Sequence, residues 1–264
     1  MFENTDKFLR KSRLKKGALK VLPENYPQLW KRIFYKEYPR FAYKKILVPD
    51  HPTPAFAKLL QARASNRKFN SESVTLEQIA GIIYYSAGQK SFLGKKETDH
   101  EEVRFYPSAG MRYPTELYFV SLNISNIEKG VYHFNIKRNL IEFLFNDITK
   151  EKVSDAFLEE WASTSAVIFA LTSVLTRNQL KYGERGLRYS LLEMGHIGQN
   201  ILLNCAAFGI SACPIGGFFD DKLEELIGIR SDISTLYDTE SRERILYCIA
   251  AGIGEESGNY SSTL

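Results

Sequence analysis

Residues 107–124 read Pro107-Ser108-Ala109-Gly110-Met111-Arg112-Tyr113-Pro114-Thr115-Glu116-Leu117-Tyr118-Phe119-Val120-Ser121-Leu122-Asn123-Ile124, a small-residue loop that runs straight into an apolar stretch. Two prolines stiffen the loop, and Gly110 with its small neighbours lets backbone approach a flat ligand closely. A plain turn accounts for Gly110 and Pro114, but not for the bunching of small residues with Arg112 and Tyr113. Leu117 to Ile124 has the length and composition of a buried strand.

Working outward, the chain alternates irregularly between strand and helix signals. Val131 to Phe134 and Leu140 to Phe145 flank a polar turn and read as a hairpin, and Ala166 to Thr172 and Ile245 to Ala251 read as further buried strands. Ala55 to Ala64 reads as a helix. Thr75 with Gln78 forms a capping-box pattern, after which Ile79, Ile82 and Ile83 give a helical apolar stripe to Gly88. Thr149 to Trp161 reads as an amphipathic helix, and a long helix runs from about Gly186 to Phe208 with Gly209 as its stop. Within it Gly195 and Gly198 each cost about 1 kcal/mol relative to Ala, so close backbone packing is expected there. Asp221 and Glu224 cap a short helix closed by Gly228, while residues 89–103 form a polar loop and the tail from Gly254 is polar. No GxGxxG follows a strand and no GxxxxGK[ST] occurs, so neither a dinucleotide-binding parallel sheet nor a P-loop is supported. The pattern fits an α+β domain around one central, mainly antiparallel sheet.

With 264 residues, 44% hydrophobic and 25% charged, the chain has ample material for a core. The start MFENTDKFLRK has no apolar segment after its charges, and the apolar runs Ile201 to Phe208 and Ile245 to Ile253 are too short or interrupted to span a bilayer. A cytoplasmic protein with no membrane association is the expectation. Cys205, Cys213 and Cys248 are widely spaced, and there is no CxxC or HExxH. Buried free thiols, with no disulfide framework and no metal site, are expected.

Residues 1–50 hold thirteen Lys or Arg against five Asp or Glu, a charge of +8, leaving −4 for the remainder of a +4 chain. The basic residues are interleaved with Leu14, Leu19, Trp30, Phe34, Tyr35, Phe41 and Tyr43, so the arm is expected to pack rather than to bind nucleic acid. Docking of a peptide or partner subunit is the alternative. The division is therefore a basic extension over 1–50 and one domain over 51–264, broken at Pro52 and Pro54.

Three further segments carry chemistry. Arg63-Ala64-Ser65-Asn66-Arg67 sets two guanidiniums around a hydroxyl, a donor set suited to a phosphate, although two exposed turn arginines would look the same. Cys213-Pro214-Ile215-Gly216-Gly217-Phe218 offers a Gly-Gly pair whose N–H groups can face a ligand in a conformation other residues resist, or simply a tight turn. Lys181-Tyr182-Gly183-Glu184-Arg185-Gly186-Leu187-Arg188 leads into Leu191-Leu192-Glu193-Met194-Gly195-His196-Ile197-Gly198-Gln199-Asn200. Arg185 and Arg188 share helical spacing with Lys181 and can equally pair with Glu184 or Glu193, His196 reads as a core histidine, and Gln199 and Asn200 as groups making buried hydrogen bonds near a subunit interface or ligand.

Taken together, the order R-x-S-x-R, then PSAG-MR-YP-TE, then a Gly-Gly loop resembles the nitroreductase superfamily of flavin enzymes over about residues 55–254. The Lys181-Tyr182 segment is similar to the SagB-type azoline dehydrogenases within it. The resemblance implies a homodimer with FMN at its interface and both subunits lining each site. It implies that Arg63, Ser65 and Arg67 hold the phosphate, that Ser108, Ala109 and Gly110 pack beside the isoalloxazine, and that Gly216 and Gly217 meet the cofactor through backbone. It makes Lys181 and Tyr182 catalytic, in an oxidation of thiazolines or oxazolines to thiazoles or oxazoles that delivers a hydride to flavin and a proton to a base. Its implied partners are a heterocyclised precursor peptide and a YcaO-type cyclodehydratase complex. A general NAD(P)H-dependent nitroreductase or quinone reductase on the same scaffold is the alternative. One departure stands: the segment GIGEESGNYSSTL lacks the basic residue with which many relatives meet the phosphate after the last strand.

Overall fold

In the computed structural model of the chain, which describes residues 2–15, 44, 54–90, 103–229 and 243–255, the elements follow the order α1 (Glu3–Ser12), α2 (Pro54–Ala62), β1 (Val74–Thr75), α3 (Leu76–Ala87), β2 (Thr115–Ser121), β3 (Ile124–Ser125), β4 (Gly130–Asn135), β5 (Leu140–Phe145), α4 (Lys150–Asp155), β6 (Val167–Val174), α5 (Leu175–Tyr182), α6 (Gly186–Ala207), β7 (Ser211–Ile215), α7 (Asp220–Leu226) and β8 (Glu243–Gly252). Six strands form one sheet in the order β5-β4-β2-β6-β8-β7, every pairing antiparallel, and β1 and β3 form a small parallel pair beside it. The α+β architecture expected from the sequence is the one observed.

The central strand β6 is buried at every position, so both of its faces are covered and its sequence is continuously apolar instead of alternating. Phe169 and Leu171 point to one side, into a core shared with Ile79, Ile82 and Ile83 of α3 and Met194, Ile197 and Ile201 of α6. Ile168 and Ala170 point to the other, against Val153 of α4 and Leu223 and Leu226 of α7. The sheet is thus the middle of three layers.

The local signals hold where the reading was local. Thr75 caps α3 with a complete capping box to Gln78, and β4 and β5 pair as the expected hairpin. Gly209 ends the long helix at φ +70°. All three cysteines are buried and free.

Several expectations fail for identifiable reasons. Thr149 to Trp161 is not one helix: α4 stops at Asp155 because Leu158 N–H donates to Gly217 O at 2.7 Å and Phe157 bridges Phe218. Gly198 is packed against a ring rather than a backbone, since a Cβ there would overlap Tyr247, and Gly195 faces open space. His196 is exposed instead of being in the core; Gln199 is exposed on the single chain, and Asn200 Nδ2 donates to Ser86 O at 3.4 Å. Asp221 does not cap α7, whose N-cap is Phe219, and the buried Glu224 instead pairs with Arg13. The polar loop over residues 91–102, most of the basic arm and the tail from 256 lie outside the described residues.

Candidate active site

The loop after Pro107 is held in an unusual backbone conformation. Gly110, Met111 and Tyr113 have φ of 59°, 55° and 45°, in the left-handed region where side chains other than glycine are strained. Several contacts hold it there. Ser108 Oγ accepts from Tyr113 N–H at 2.9 Å, Ser108 O accepts from Met111 N–H at 3.2 Å, and Arg177 reaches Tyr113 O at 3.2 Å. Arg112 Nε in turn donates to Arg177 O at 2.8 Å, lashing the loop to α5.

That helix delivers the Lys-Tyr pair. β2 runs antiparallel to β6, with Thr115 opposite Ser173, so the loop entering β2 and the helix leaving β6 emerge at one end of the sheet. A Cβ at Gly110 would overlap the Tyr182 hydroxyl and lie 2.9 Å from Lys181 Nζ. The bare Cα of Gly110 is therefore what admits these two polar atoms side by side. Lys181 is exposed, with Nζ 5.4 Å from the Tyr182 ring, and Tyr182 packs edge-on against Tyr189 at 4.9 Å. Of the predicted residues, Ser108, Ala109, Gly110, Lys181 and Tyr182 are brought together here.

Beneath the loop sits Glu193, 2% exposed. Its Oε1 accepts from Thr115 N–H at 3.2 Å. Burial pushes the Glu193 carboxyl up, and the hydrogen bonds from Ser108 and Thr115 pull it back only in part. Arg104 lies nearby, its guanidinium 4.2 Å over the Tyr113 ring. Of the two readings of Arg185 and Arg188, the pairing with Glu184 or Glu193 does not form: both arginines are exposed, Glu193 serves the loop, and Glu184 accepts from Asn4 and Thr5 of α1.

On the far side of Arg177, Glu116 accepts from that guanidinium and from His133 Nε2 at 3.1 Å, and His133 Nδ1 meets Glu142 at 3.0 Å. Burial works against charge on His133, but its two carboxylate partners outweigh it and raise its titration above the ordinary histidine range. Glu116 is correspondingly lowered despite its burial. Glu193, Arg177, Glu116 and His133 are not among the candidate site residues that the sequence patterns mark. Glu193 alone had a local signal, as a carboxylate inside an apolar helix.

The phosphate-type segment lies along the opposite edge of the sheet. Ser65 bridges Ala212 of β7, Asn66 N–H donates to Ala212 O at 3.1 Å, and Asn66 Nδ2 reaches Ser211 Oγ at 3.1 Å. Gly254 makes room for this clasp, because a Cβ there would overlap Ser211 and come within 2.9 Å of Asn66 Nδ2. Arg63 Nη1 sits 3.4 Å from Ser65 Oγ, Ser65 and Arg67 are exposed, and the Arg67 guanidinium lies 6.0 Å from the Trp161 ring centroid. Among the described residues neither arginine has an acidic partner. β7 ends directly before Gly216 and Gly217. A Cβ at Gly216 would meet nothing within 4 Å, and Gly217 O holds Leu158, three residues before Trp161. Neither glycine has a positive φ, so of the two readings of the pair the left-handed backbone is not the one observed. Arg63, Ser65, Arg67, Gly216 and Gly217 thus form a second group, and among the described residues no hydrogen bond joins it to the Gly110 group. Among the described residues there is no cluster of metal-ligating side chains and no helix long and apolar enough to cross a membrane.

The sequence pattern of the nitroreductase family matches residues 60–253, a span that contains both groups. The chain belongs to the nitroreductase family. Among relatives of this nitroreductase-family oxidoreductase, the nitroreductase-like protein MJ1384 of Methanocaldococcus jannaschii is 26% identical over 187 residues, 70% of this chain and 90% of that protein. The trifolitoxin-processing protein TfxB of Rhizobium leguminosarum bv. trifolii is 25% identical over 143 residues, 52% of this chain but only 38% of TfxB. In fold, the chain is similar to a chain of the E. coli microcin synthetase McbBCD complex, solved with truncated pro-MccB17 bound. The TM-score is 0.73 at 15% identity, over 97% of this chain and 93% of that one.

Proposed function

We propose that this chain is an FMN-dependent azoline dehydrogenase of the SagB type, oxidising thiazolines or oxazolines in a heterocyclised precursor peptide to the aromatic rings. The observation that carries this reading is the Lys181-Tyr182 pair standing against the bare face of Gly110, at a loop whose backbone is held in a strained conformation by dedicated contacts. Strain kept in place by its surroundings concentrates at functional sites. The likeness to TfxB and to the McbBCD fold supports a peptide substrate and a YcaO-type cyclodehydratase partner for this chain. Three buried free thiols suit a reducing, cytoplasmic setting.

The residues present fit FMN. Arg63, Ser65 and Arg67 form a donor set for its phosphate without acidic competitors among the described residues, and the open space at Gly216 together with Gly217 lets backbone meet the cofactor. Ser108, Ala109 and Gly110 offer a small-residue surface for a flat ring. Bound flavin would supply the acceptor for a hydride, so that loss of one proton from the azoline completes a two-electron oxidation to the aromatic ring. That proton needs an acceptor beside the flavin surface, and Lys181 Nζ and Tyr182 Oη are the two candidate atoms. Arg177 and Glu193 hold the loop that faces them.

Because the two groups of residues lie apart in one chain, a homodimer that brings the Arg63 group of one subunit to the Gly110 group of the other accounts for both. The exposed Leu191 and Leu192 of α6 give an apolar surface for it. Residues 51–264 are the catalytic domain and 1–50 a basic extension in this reading. The test is a turnover assay on an azoline peptide. Lys181→Ala and Tyr182→Ala are expected to keep bound FMN and lose activity, whereas full activity in both variants would sink the assignment. Rapid anaerobic bleaching of the flavin by NADPH, without peptide oxidation, would instead indicate a general nitroreductase.

A further inference from the structure

Residues 2–15 lie outside the span that carries the family pattern, yet they close on the turn that bears Lys181 and Tyr182. α1 has no side-chain cap of its own, its N-cap position being Phe2. The free N–H groups of its first turn are satisfied by Glu184 instead. That carboxylate accepts from Asn4 N–H at 3.0 Å, from Thr5 N–H at 2.8 Å, and from the Thr5 hydroxyl. A carboxylate in this place is favoured both by the orphan donors and by the helix dipole. The cap holds the Glu184 carboxyl below its usual range, with the Thr5 hydroxyl the largest cause.

Thr5 is the one buried residue of α1, 3% exposed. Its hydroxyl also accepts from Gln179 Nε2 at 3.0 Å. Gln179 precedes Lys181 by two positions and Glu184 follows Tyr182 by two, so anchors on both sides of the pair meet on one threonine. Between them Gly183 ends α5 at φ 58° and ψ −142°, a conformation that glycine adopts freely and that by itself gives the turn little stiffness. The other end of α1 is fixed independently: Arg13 pairs with Glu224 and, at 3.2 Å, with Asp221, and Leu14 N–H donates to Asp220 at 2.9 Å.

We infer that α1 is a brace, and that Thr5, acting through Gln179 and Glu184, is a positioning residue that fixes how Lys181 and Tyr182 present their polar atoms to Gly110. This rests on the proposed role of that pair. The test uses full-length, FMN-loaded enzyme and an azoline peptide. Thr5→Val removes both hydroxyl bonds at nearly constant volume, Glu184→Ala removes the cap, and Thr5→Ser restores the hydroxyl. Thr5→Val and Glu184→Ala are each expected to lower kcat about tenfold, as small displacements of reacting groups do, with KM and FMN content unchanged. The double variant should be no worse than the worse single one, and Thr5→Ser should turn over like the parent.

A second readout is independent of turnover: in Thr5→Val, amide hydrogen exchange over residues 179–185 should speed up in flavin-free and flavin-loaded protein alike. Unchanged kcat in Thr5→Val beside an inactive Lys181→Ala would overturn the brace and leave the proposed chemistry standing, and unchanged exchange over 179–185 would overturn it as well. Full activity in both Lys181→Ala and Tyr182→Ala would overturn the proposed function itself, and with it any catalytic meaning of the brace. Should Glu184→Ala fail to fold, Thr5→Val still decides.

Discussion

Gly110 and Tyr182 meet where no side chain fits: a Cβ on residue 110 would overlap the phenol oxygen of residue 182, and Gly110 sits at φ 59° besides. Sequence separation hides this relation, but the topology enforces it. β2 and β6 are neighbours in the sheet, and the loop before one faces the helix after the other.

Gly110→Ala is accordingly expected to act twice. The left-handed backbone costs an alanine roughly 1–2 kcal/mol, which in a protein of this size lowers Tm by several degrees. The methyl group also displaces Tyr182, so kcat on an azoline peptide should fall by at least about tenfold. Thermal melts and turnover measured on one preparation check both halves. A variant that loses stability but keeps its kcat would show that the contact is structural only.

The second prediction concerns the cofactor. Arg67→Ala removes one guanidinium from the proposed phosphate site. Charge-assisted bonds of this kind are worth about 1.5–3 kcal/mol, so FMN should bind roughly ten- to a hundredfold more weakly. Fluorescence titration of flavin-free protein measures it. Lys68→Ala, one residue on and exposed, should change the affinity little, which separates a specific contact from general positive charge.

The two proposed sites rest on patterns that are readable in the sequence because each is short and local: Arg63 to Arg67, Ser108 to Gly110, Lys181 with Tyr182. The same holds for the Thr75–Gln78 capping box and the β4–β5 hairpin. What supports the sites was not legible. Glu193 reaches Thr115 across 78 positions, Arg177 reaches Tyr113 across 64, and Glu184 caps α1 across 179. Such contacts depend on where the finished sheet carries each element, and no periodicity records that. The Thr149–Trp161 segment errs in the opposite direction: its helical pattern was real, but a backbone bond from Leu158 to Gly217 overrides it.

A pH dependence follows from the Glu116–His133–Glu142 cluster. The folded protein raises the His133 titration above its free value of about 6.5. Protonated His133 therefore stabilises the fold fully below pH ~6.5, and that contribution is lost as pH rises through the raised folded value. Glu116 is lowered, so its contribution is present above its free value of about 4.3 and is lost as pH falls through the folded one. Tm of the parent protein, compared with His133→Gln between about pH 5.5 and 9, should show a parental advantage at the acid end that shrinks toward the alkaline end. A difference that stays constant over this range would mean that folding does not shift the His133 titration.

The last prediction tests the pairing of two chains. Leu192 is 58% exposed and Leu191 42% exposed on α6, next to the open Gly195. Large apolar side chains side by side on a helix are tolerated singly at a surface, but together with a bare glycine they suit close approach of another helix. In an isolated monomer Leu192→Lys would be nearly neutral, since the side chain gives up little burial. In a homodimer it places a charge in a closed apolar contact, which is costly without a partner. Sedimentation of the parent chain should therefore give a dimer and that of Leu192→Lys a monomer. Because the Arg63 group and the Gly110 group would then no longer meet across the interface, the monomeric variant should also bind FMN at least tenfold more weakly while its far-UV spectrum is unchanged. Full FMN affinity in a monomeric variant would place the whole cofactor site within one chain.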